Sequence, residues 1–418
     1  MPTNTIGNHP PPPPYPAVES VAGNEDLLVE ILSRLSTKPV IRFKSVSRHW
    51  FHLISGRRFS LIHSRRNPKP PCSALFLHSS PPFATAASSS SSSSSPFSSE
   101  FQFIPLSLSS FHSPPPSLSR INFSSSTTTS ILQSCNGLLL VCDRGSRNDG
   151  SDCSYYVCNP TTDAVSEVVC PDFVGECVVG VNLAFDPSRW DQYRVICVRN
   201  SEIEERFHVI DVYKPSTGAW RRVTDGFIPP FDMEFERGVY WNGSVHWLSH
   251  TETTLYFDVE KDCLRSLALP PTLVGGYMGR FRYFGESRGH LHLIEIRRNC
   301  YPRFDVMELD GDDMCWFPKY RVDLDVVGCE FTEMFQDSKD RFGRHLRFYA
   351  FSILSVVRGE GEGEDDSALI VSIPGKVLSY SFATETTKML CEVVDQSDRW
   401  IPFKGYNAYQ YIASLCTI

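Results

Sequence analysis

The spacing of apolar and polar positions divides the chain into two unequal parts. Over Asn24 to Ser64 the apolar residues recur at helical intervals. Leu27, Leu28, Ile31, Leu32 and Leu35 fall at i, i+1, i+4, i+5 and i+8, a broad stripe along one helix face. Asn24 supplies an N-cap, and Glu25 and Asp26 place negative charge in the first turn, where the helix dipole favours it. Ser36 and Thr37 interrupt the stripe. Pro39 suits the first turn of a second helix, whose apolar positions are Val40, Phe43, Val46 and Trp50. A third segment carries Phe51, Leu53, Ile54, Phe59, Leu61 and Ile62, with Gly56 as a break. The spacing therefore predicts three short helices. A module this small buries only part of such a surface against itself. The remainder either packs on the rest of the chain or stays exposed, as surfaces that meet partners do.

From Ile131 the periodicity shortens and a repeat emerges. Tyr155–Cys158 leads through Asn159–Asp163 to Ala164 and Val165, and Val209–Tyr213 leads through Lys214–Gly218 to Ala219 and Trp220. The same form recurs as Leu255–Val259 to Cys263, Phe304–Leu309 to Trp316, and Val377–Phe382 to Thr387. Each is a strand, a polar turn and a strand, the signature of a hairpin. A further apolar strand precedes each: Gly137–Cys142, Tyr193–Val198, Ser244–Leu248, His290–Ile296 and Leu369–Ile373. About four strands per unit, at intervals of roughly 45 to 70 residues, predict β-propeller blades. Antiparallel sandwiches do not explain the recurrence. Ala74–Leu77 and Phe101–Leu106 read as strands of one more unit, and Tyr411–Leu415 as a strand that closes the ring. The expectation is an α+β multidomain chain: a small N-terminal three-helix module, then an all-β propeller-like domain of about six blades.

Composition refines the boundaries. Residues 1–22 are a Pro-rich leader with five consecutive prolines from Pro10, a polyproline II former without a core. The helical module spans 23–64. Residues 65–130 form a linker and a low-complexity insertion that includes the serine run Ser88–Ser95. The propeller-like domain occupies 131–418. A net charge of −8 opposes a nucleic-acid grip at whole-chain scale. The basic run Arg57, Arg58, Arg65, Arg66 and Lys69 reads as a solvated helix face and linker. The first residues lack the form of a signal peptide, and no segment approaches the ~18 apolar residues that cross a bilayer. The 14 cysteines include no CxxC pair, and Cys142, Cys158, Cys197 and Cys391 sit inside apolar strands as small hydrophobes. Free thiols and a reducing compartment, nucleus or cytoplasm, are expected.

Candidate chemistry is sparse, and neither a cofactor nor a bound metal is expected. The motifs of serine hydrolases, zincins, P-loops and EF-hands are missing from the sequence. Gly359–Glu364 alternates glycine with acids that repel phosphate, so it reads as a solvated loop. Asp310, Asp312 and Asp313 lack the closing glutamate of a calcium loop and read as a hairpin turn. His290 and His292 share a strand face, but no third ligand follows from spacing. Trp220 and Trp316 occupy equivalent places after their turns, which points to packing.

The run DLLVEILSRLSTKPVIRFKSVSRHWFHLIS resembles an F-box, as found in plant F-box proteins. The family's usual Leu-Pro before this helix is replaced here by Gly23-Asn24. SCNGLLLVC, CNPTTDAV, VYKPSTGAWRRV, GVYWNGSVHWL and YFDVEKDCL resemble the F-box-associated β domain, a relative of kelch propellers, over most of 131–391. The resemblance implies a non-catalytic substrate-recognition subunit of a Skp–cullin–F-box ubiquitin ligase. The F-box would dock a Skp-type adaptor, and through it a cullin–RING ligase, while the propeller binds a protein substrate. Neither nucleic acid nor membrane is implied as a partner. The adaptor contact is expected among Leu27, Leu28, Ile31, Leu32, Leu35, Val40, Phe43, Val46 and Trp50, some of which form the module's own core. The alternatives are a propeller enzyme or carbohydrate-binding protein, and an F-box scaffold outside any ligase.

Overall fold

In the computed structural model the first apolar stripes become helices, and most of the described residues after them lie in strands. The structure describes residues 23–79, 101–106, 128–144, 153–169, 178–201, 204, 206–249, 253–270, 280–297, 302–339, 345–359, 366–393 and 406–418. The Pro-rich leader, the serine run and most of the acidic Gly-Glu loop lie outside the described residues. The chain separates into two compact units, one ending at Pro68 and the other spanning Lys69–Ile418.

The first unit contains α1 (Glu25–Leu32), α2 (Thr37–Phe43), α3 (Arg48–Ser55) and α4 (Arg57–Arg66). The third predicted segment is thus two helices, because Gly56 leaves helical geometry at φ −73°, ψ 142° and serves as C-cap of α3 and N-cap of α4. Asn24 caps α1 as expected, its side-chain oxygen accepting from Leu27 N at 3.1 Å. Ser47 does the same for α3, accepting from Trp50 N at 3.2 Å. The core is drawn from Leu28, Leu32, Val40, Ile54 and Phe59.

The second unit is a six-bladed β-propeller. Five blades are four-stranded antiparallel sheets in sequence order. They are β3–β6 (Thr128–Cys135, Leu138–Arg144, Cys153–Asn159, Ala164–Val168) and β7–β10 (Val178–Ala184, Arg194–Asn200, His208–Lys214, Ala219–Arg222). Next come β11–β14 (Val239–Trp241, Ser244–Leu248, Thr253–Asp258, Cys263–Ala268) and β15–β18 (Arg280–Ser287, His290–Arg297, Arg303–Leu309, Trp316–Asp323). The last is β21–β24 (Ser352–Val357, Ala368–Ile373, Lys376–Ser381, Thr387–Glu392). Between these two final blades lie α5 (Asp325–Glu330) and a separate hairpin, β19 (Phe335–Lys339) with β20 (His345–Tyr349). The remaining blade is built from both ends of the domain: β1 (Cys72–Ser79) pairs on one side with β2 (Gln102–Pro105) and on the other with β25 (Tyr406–Ile412). The innermost strands contact one another around the full circle, in the order β25, β3, β7, β11, β15, β21 and back to β25.

Turn chemistry explains why these residues form these hairpins. The inner turns Asn136-Gly137, Asn242-Gly243 and Arg288-Gly289 hold both central residues at positive φ. That is the type I′ geometry whose twist matches the flanking strands. The outer turns end on Asp163, Gly218, Asp262, Met314 or Glu385, again at positive φ. Asp310 shows the local bonding: its carboxylate accepts from Asp312 N at 2.8 Å and Asp313 N at 3.1 Å. The acids there close a turn, as the sequence suggested.

Ring closure is sealed by close fit. Gly137 sits against the tail that follows β25, where an added Cβ would lie 2.4 Å from Ser414 Cβ. Asn159 Nδ2 donates to the carbonyls of Ser414 (3.2 Å) and Cys416 (2.8 Å), and Ser134 Oγ donates to Gln410 O at 2.5 Å. Cys142, Cys158 and Cys197 are buried in strands, and none of the three forms a disulfide. Burial pushes the Cys158 thiol up to about 12.

Candidate functional site

The helical module is a short scaffold whose far end is cross-tied. At the C-terminal end of α1, the Arg66 guanidinium donates to Ser33 Oγ at 2.8 Å and pairs with Glu30 at 2.5 Å. Asn67 Nδ2 donates to Ser33 O at 3.0 Å. His63 is buried, and its Nε2 lies 2.9 Å from Leu35 O. A carbonyl only accepts, so Nε2 carries the proton. Burial lowers the His63 pKa and keeps the ring neutral. The Glu30 carboxyl is held below its usual range by its bonds to Arg66 and then Arg34. At the other end, Glu25 meets His49 at 3.9 Å and Asp26 meets Arg58 at 3.7 Å, exposed pairs of small energetic weight.

This scaffold sorts the nine residues singled out by sequence. Leu28, Leu32 and Val40 are buried in the module's own core. Leu35, Phe43 and Trp50 are half-buried, and the Phe43 and Trp50 rings meet edge-on at 5.6 Å. Leu27, Ile31 and Val46 remain 44%, 49% and 58% exposed, and Phe51 joins them at 49%. Leu27 and Ile31 lie four apart and so share one face of α1. Phe51 was placed in an apolar helix by its spacing but not in the contact set. The signal that marks it is its position beside the stripe made by Trp50, Leu53 and Ile54, which leaves it no core to enter. Leu27 and Ile31 lie on α1 and Phe51 on α3, while Val46, expected on the second helix, lies in the turn after α2 because that helix ends at Phe43. Four large apolar side chains in water are an unusual concentration for so small a module.

The propeller's buried ionisable groups are tied to one another. Arg199 on β8 and Asp211 on β9, diagonal across the ladder, form a buried pair at 2.8 Å, with Arg222 at 3.8 Å from the other carboxylate oxygen. His290 and His292 flank Glu308 at 3.0 and 3.3 Å, and Arg358 lies 3.5 Å from the same carboxylate. The cluster is thus a charge-balanced packing motif, with His292 kept neutral by burial. Among the described residues, no group of three or more His, Cys, Asp or Glu is arranged to hold a metal ion. Glu286, on the innermost strand β15, is pushed up to about 7 by burial and accepts from the backbone N–H of Gly289. It closes the turn over which Lys69 packs. Trp220 and Trp316 are half-buried against their blades, and Trp220 Nε1 donates to Val169 O at 2.7 Å.

Comparison with known proteins places each unit. Residues 24–61 match the F-box domain family, and residues 98–279 match the F-box associated beta propeller domain family. F-box protein At5g07610 of Arabidopsis thaliana is 30% identical over 423 residues, covering 95% of this chain and 93% of that protein. F-box protein At4g19940 of the same plant is 26% identical over 62% of this chain and 63% of its own length. F-box protein At5g49610, also from Arabidopsis thaliana, is 27% identical over 65% and 71% respectively.

Proposed function

The chain belongs to the plant F-box proteins that join an F-box to an F-box-associated β-propeller, and from that premise we infer that it is the substrate-recognition subunit of a Skp–cullin–F-box ubiquitin ligase. The observation that carries the reading is the set of apolar side chains, Leu27, Ile31, Val46 and Phe51, that the helical module leaves in water. Burying them against a Skp-type adaptor removes that exposure and fixes the chain to the ligase. Leu35, Phe43 and Trp50 contribute their exposed halves to the same contact.

The propeller then holds a protein substrate, and no chemistry is required of this chain. Tethering raises the effective concentration of substrate lysines near the conjugating enzyme, which converts an encounter between separate molecules into a local one. The protein would act in the nucleus or cytoplasm, where the ligase operates.

Co-purification tests this directly. Full-length tagged protein expressed in plant cells is expected to bring down the Skp-type adaptor and the cullin in comparable amounts. Recovery of the chain with neither, under conditions that recover them with another F-box protein, would overturn the reading.

A further inference from the structure

The two most exposed large apolar side chains among those described, Ile228 at 63% and Phe231 at 84%, lie on one loop, the connection between β10 and β11. The loop is held on both flanks. On one side Phe227 and His208 exchange backbone hydrogen bonds at 2.8 and 2.9 Å. On the other, Phe235 is buried, its ring 5.3 Å from that of Trp247 and its carbonyl accepting from Asn182 Nδ2 at 3.0 Å. Gly180 makes this approach feasible, since a Cβ there would lie 2.3 Å from Phe235 O. Between the anchors, Ser249 Oγ donates to Asp232 at 2.8 Å and Glu234 N donates to Leu248 O at 3.1 Å. The sequence Ile-Pro-Pro-Phe is therefore presented by a preorganised tip, and binding there orders little that is not already ordered.

Charge decides the occupant. Residues 223–238 carry Asp225, Asp232, Glu234 and Glu236 against Arg237 alone. An apolar tip on a net-acidic loop, whose exposed acids are Asp225 and Glu236, complements an apolar anchor flanked by lysine or arginine, and disfavours both acidic segments and anionic lipid. The loop leaves β10 and enters β11 at the face where the innermost strands begin, which is opposite the face where β1 starts at Cys72. We propose that this loop is a substrate-recognition element of the propeller, with Ile228 and Phe231 seated on a basic protein segment that carries an apolar anchor. The proposal rests on the substrate-receptor reading and names the surface that performs it.

The test uses the full chain and two synthetic peptide pools read by fluorescence anisotropy, with adaptor binding measured separately on the same preparations. One pool has leucine, phenylalanine or tryptophan anchors flanked by lysine and arginine; the other has the same anchors flanked by aspartate and glutamate. The expected result is saturable binding of the basic pool, weakened about tenfold or more by Ile228→Ser with Phe231→Ser. Charge reversal at Asp225→Lys with Glu236→Lys is expected to weaken it similarly, with adaptor binding unchanged. The proposal is overturned if the basic pool does not bind, if both double variants bind it as wild type does, or if the acidic pool or phosphatidylserine vesicles bind equally well. Loss of adaptor binding by the wild-type chain would instead sink the ligase reading. That failure is distinguishable because the peptide measurement does not require the adaptor.

Discussion

Replacing Ile31 by lysine separates a surface role from a core role within one helix turn. Ile31 is about half exposed, while its neighbour Leu32 is buried. Full burial of such a side chain is worth about 1.5–3 kcal/mol, so covering the exposed half of Ile31 contributes about 1 kcal/mol to docking. A lysine in that contact loses this and adds desolvation of its ammonium, on the order of 2 kcal/mol. The sum, about 3 kcal/mol, is on the order of a hundredfold in Kd. Ile31 stands in the last turn of α1, where a positive charge complements the helix dipole, so the module's own stability should barely change. Leu32→Ala supplies the contrast: loss of a buried leucine costs about 2–5 kcal/mol of folding stability. The assay is titration of the adaptor against each full-length variant, with thermal unfolding measured in parallel. Ile31→Lys is expected to bind weakly at unchanged melting temperature, and Leu32→Ala to melt early. Binding of Ile31→Lys within about threefold of wild type, less than 1 kcal/mol, would refute the assignment of this face.

Gly137→Ala should destabilise the propeller strongly, because φ is +90° and the new Cβ would meet Ser414 at 2.4 Å, whereas Gly218→Ala, at φ +60° in open space, should cost only about 1 kcal/mol. Urea unfolding of both variants checks the difference. Arg199→Ala leaves the buried Asp211 only the more distant, half-exposed Arg222 and should cost about 3 kcal/mol, while Arg199→Met with Asp211→Leu should be near neutral by the same measurement. Burial lowers His246 to about 3, so between its ordinary 6.5 and 3 the unfolded chain binds a proton that the folded one does not. Stability from this group is present above pH 6.5 and is lost as pH falls toward 3, at up to about 1.4 kcal/mol per pH unit. His246→Phe should flatten the acid limb of a stability–pH curve by that slope.

The hairpins were legible because their pairings are local. Asn159 to Ala164, Lys214 to Ala219 and Asp258 to Cys263 meet across polar turns that the sequence announces. Apart from the closing strand, expected at Tyr411–Leu415 and found at Tyr406–Ile412, the innermost strands were not picked out singly. β11 is only three residues, and β7 carries Gly180 and Asn182 where the Phe235 carbonyl must approach, so neither alternates cleanly. For β3, β11 and β15 the signal was the Asn-Gly or Arg-Gly turn that follows, and β7 carries no such turn. The helical module shows the opposite limit. Leu27 and Leu28, like Ile31 and Leu32, are adjacent and equally apolar, yet one of each pair is exposed and the other buried. Helical periodicity gives a stripe too broad to choose between them. Only the placement of α2 to α4 makes that choice.

The seal between β1 and β25 also sets an order of events. During synthesis each four-stranded blade emerges as a local unit and can pair its own strands at once. β1 must wait through all of them, because the innermost strand of its blade is the final strand of the domain. Until then the growing arc has two raw edges, one at each end, where a blade lacks a neighbour. Stability should therefore arrive late and nearly all at once, so that ring closure acts as a checkpoint on whether translation has reached the end of the propeller.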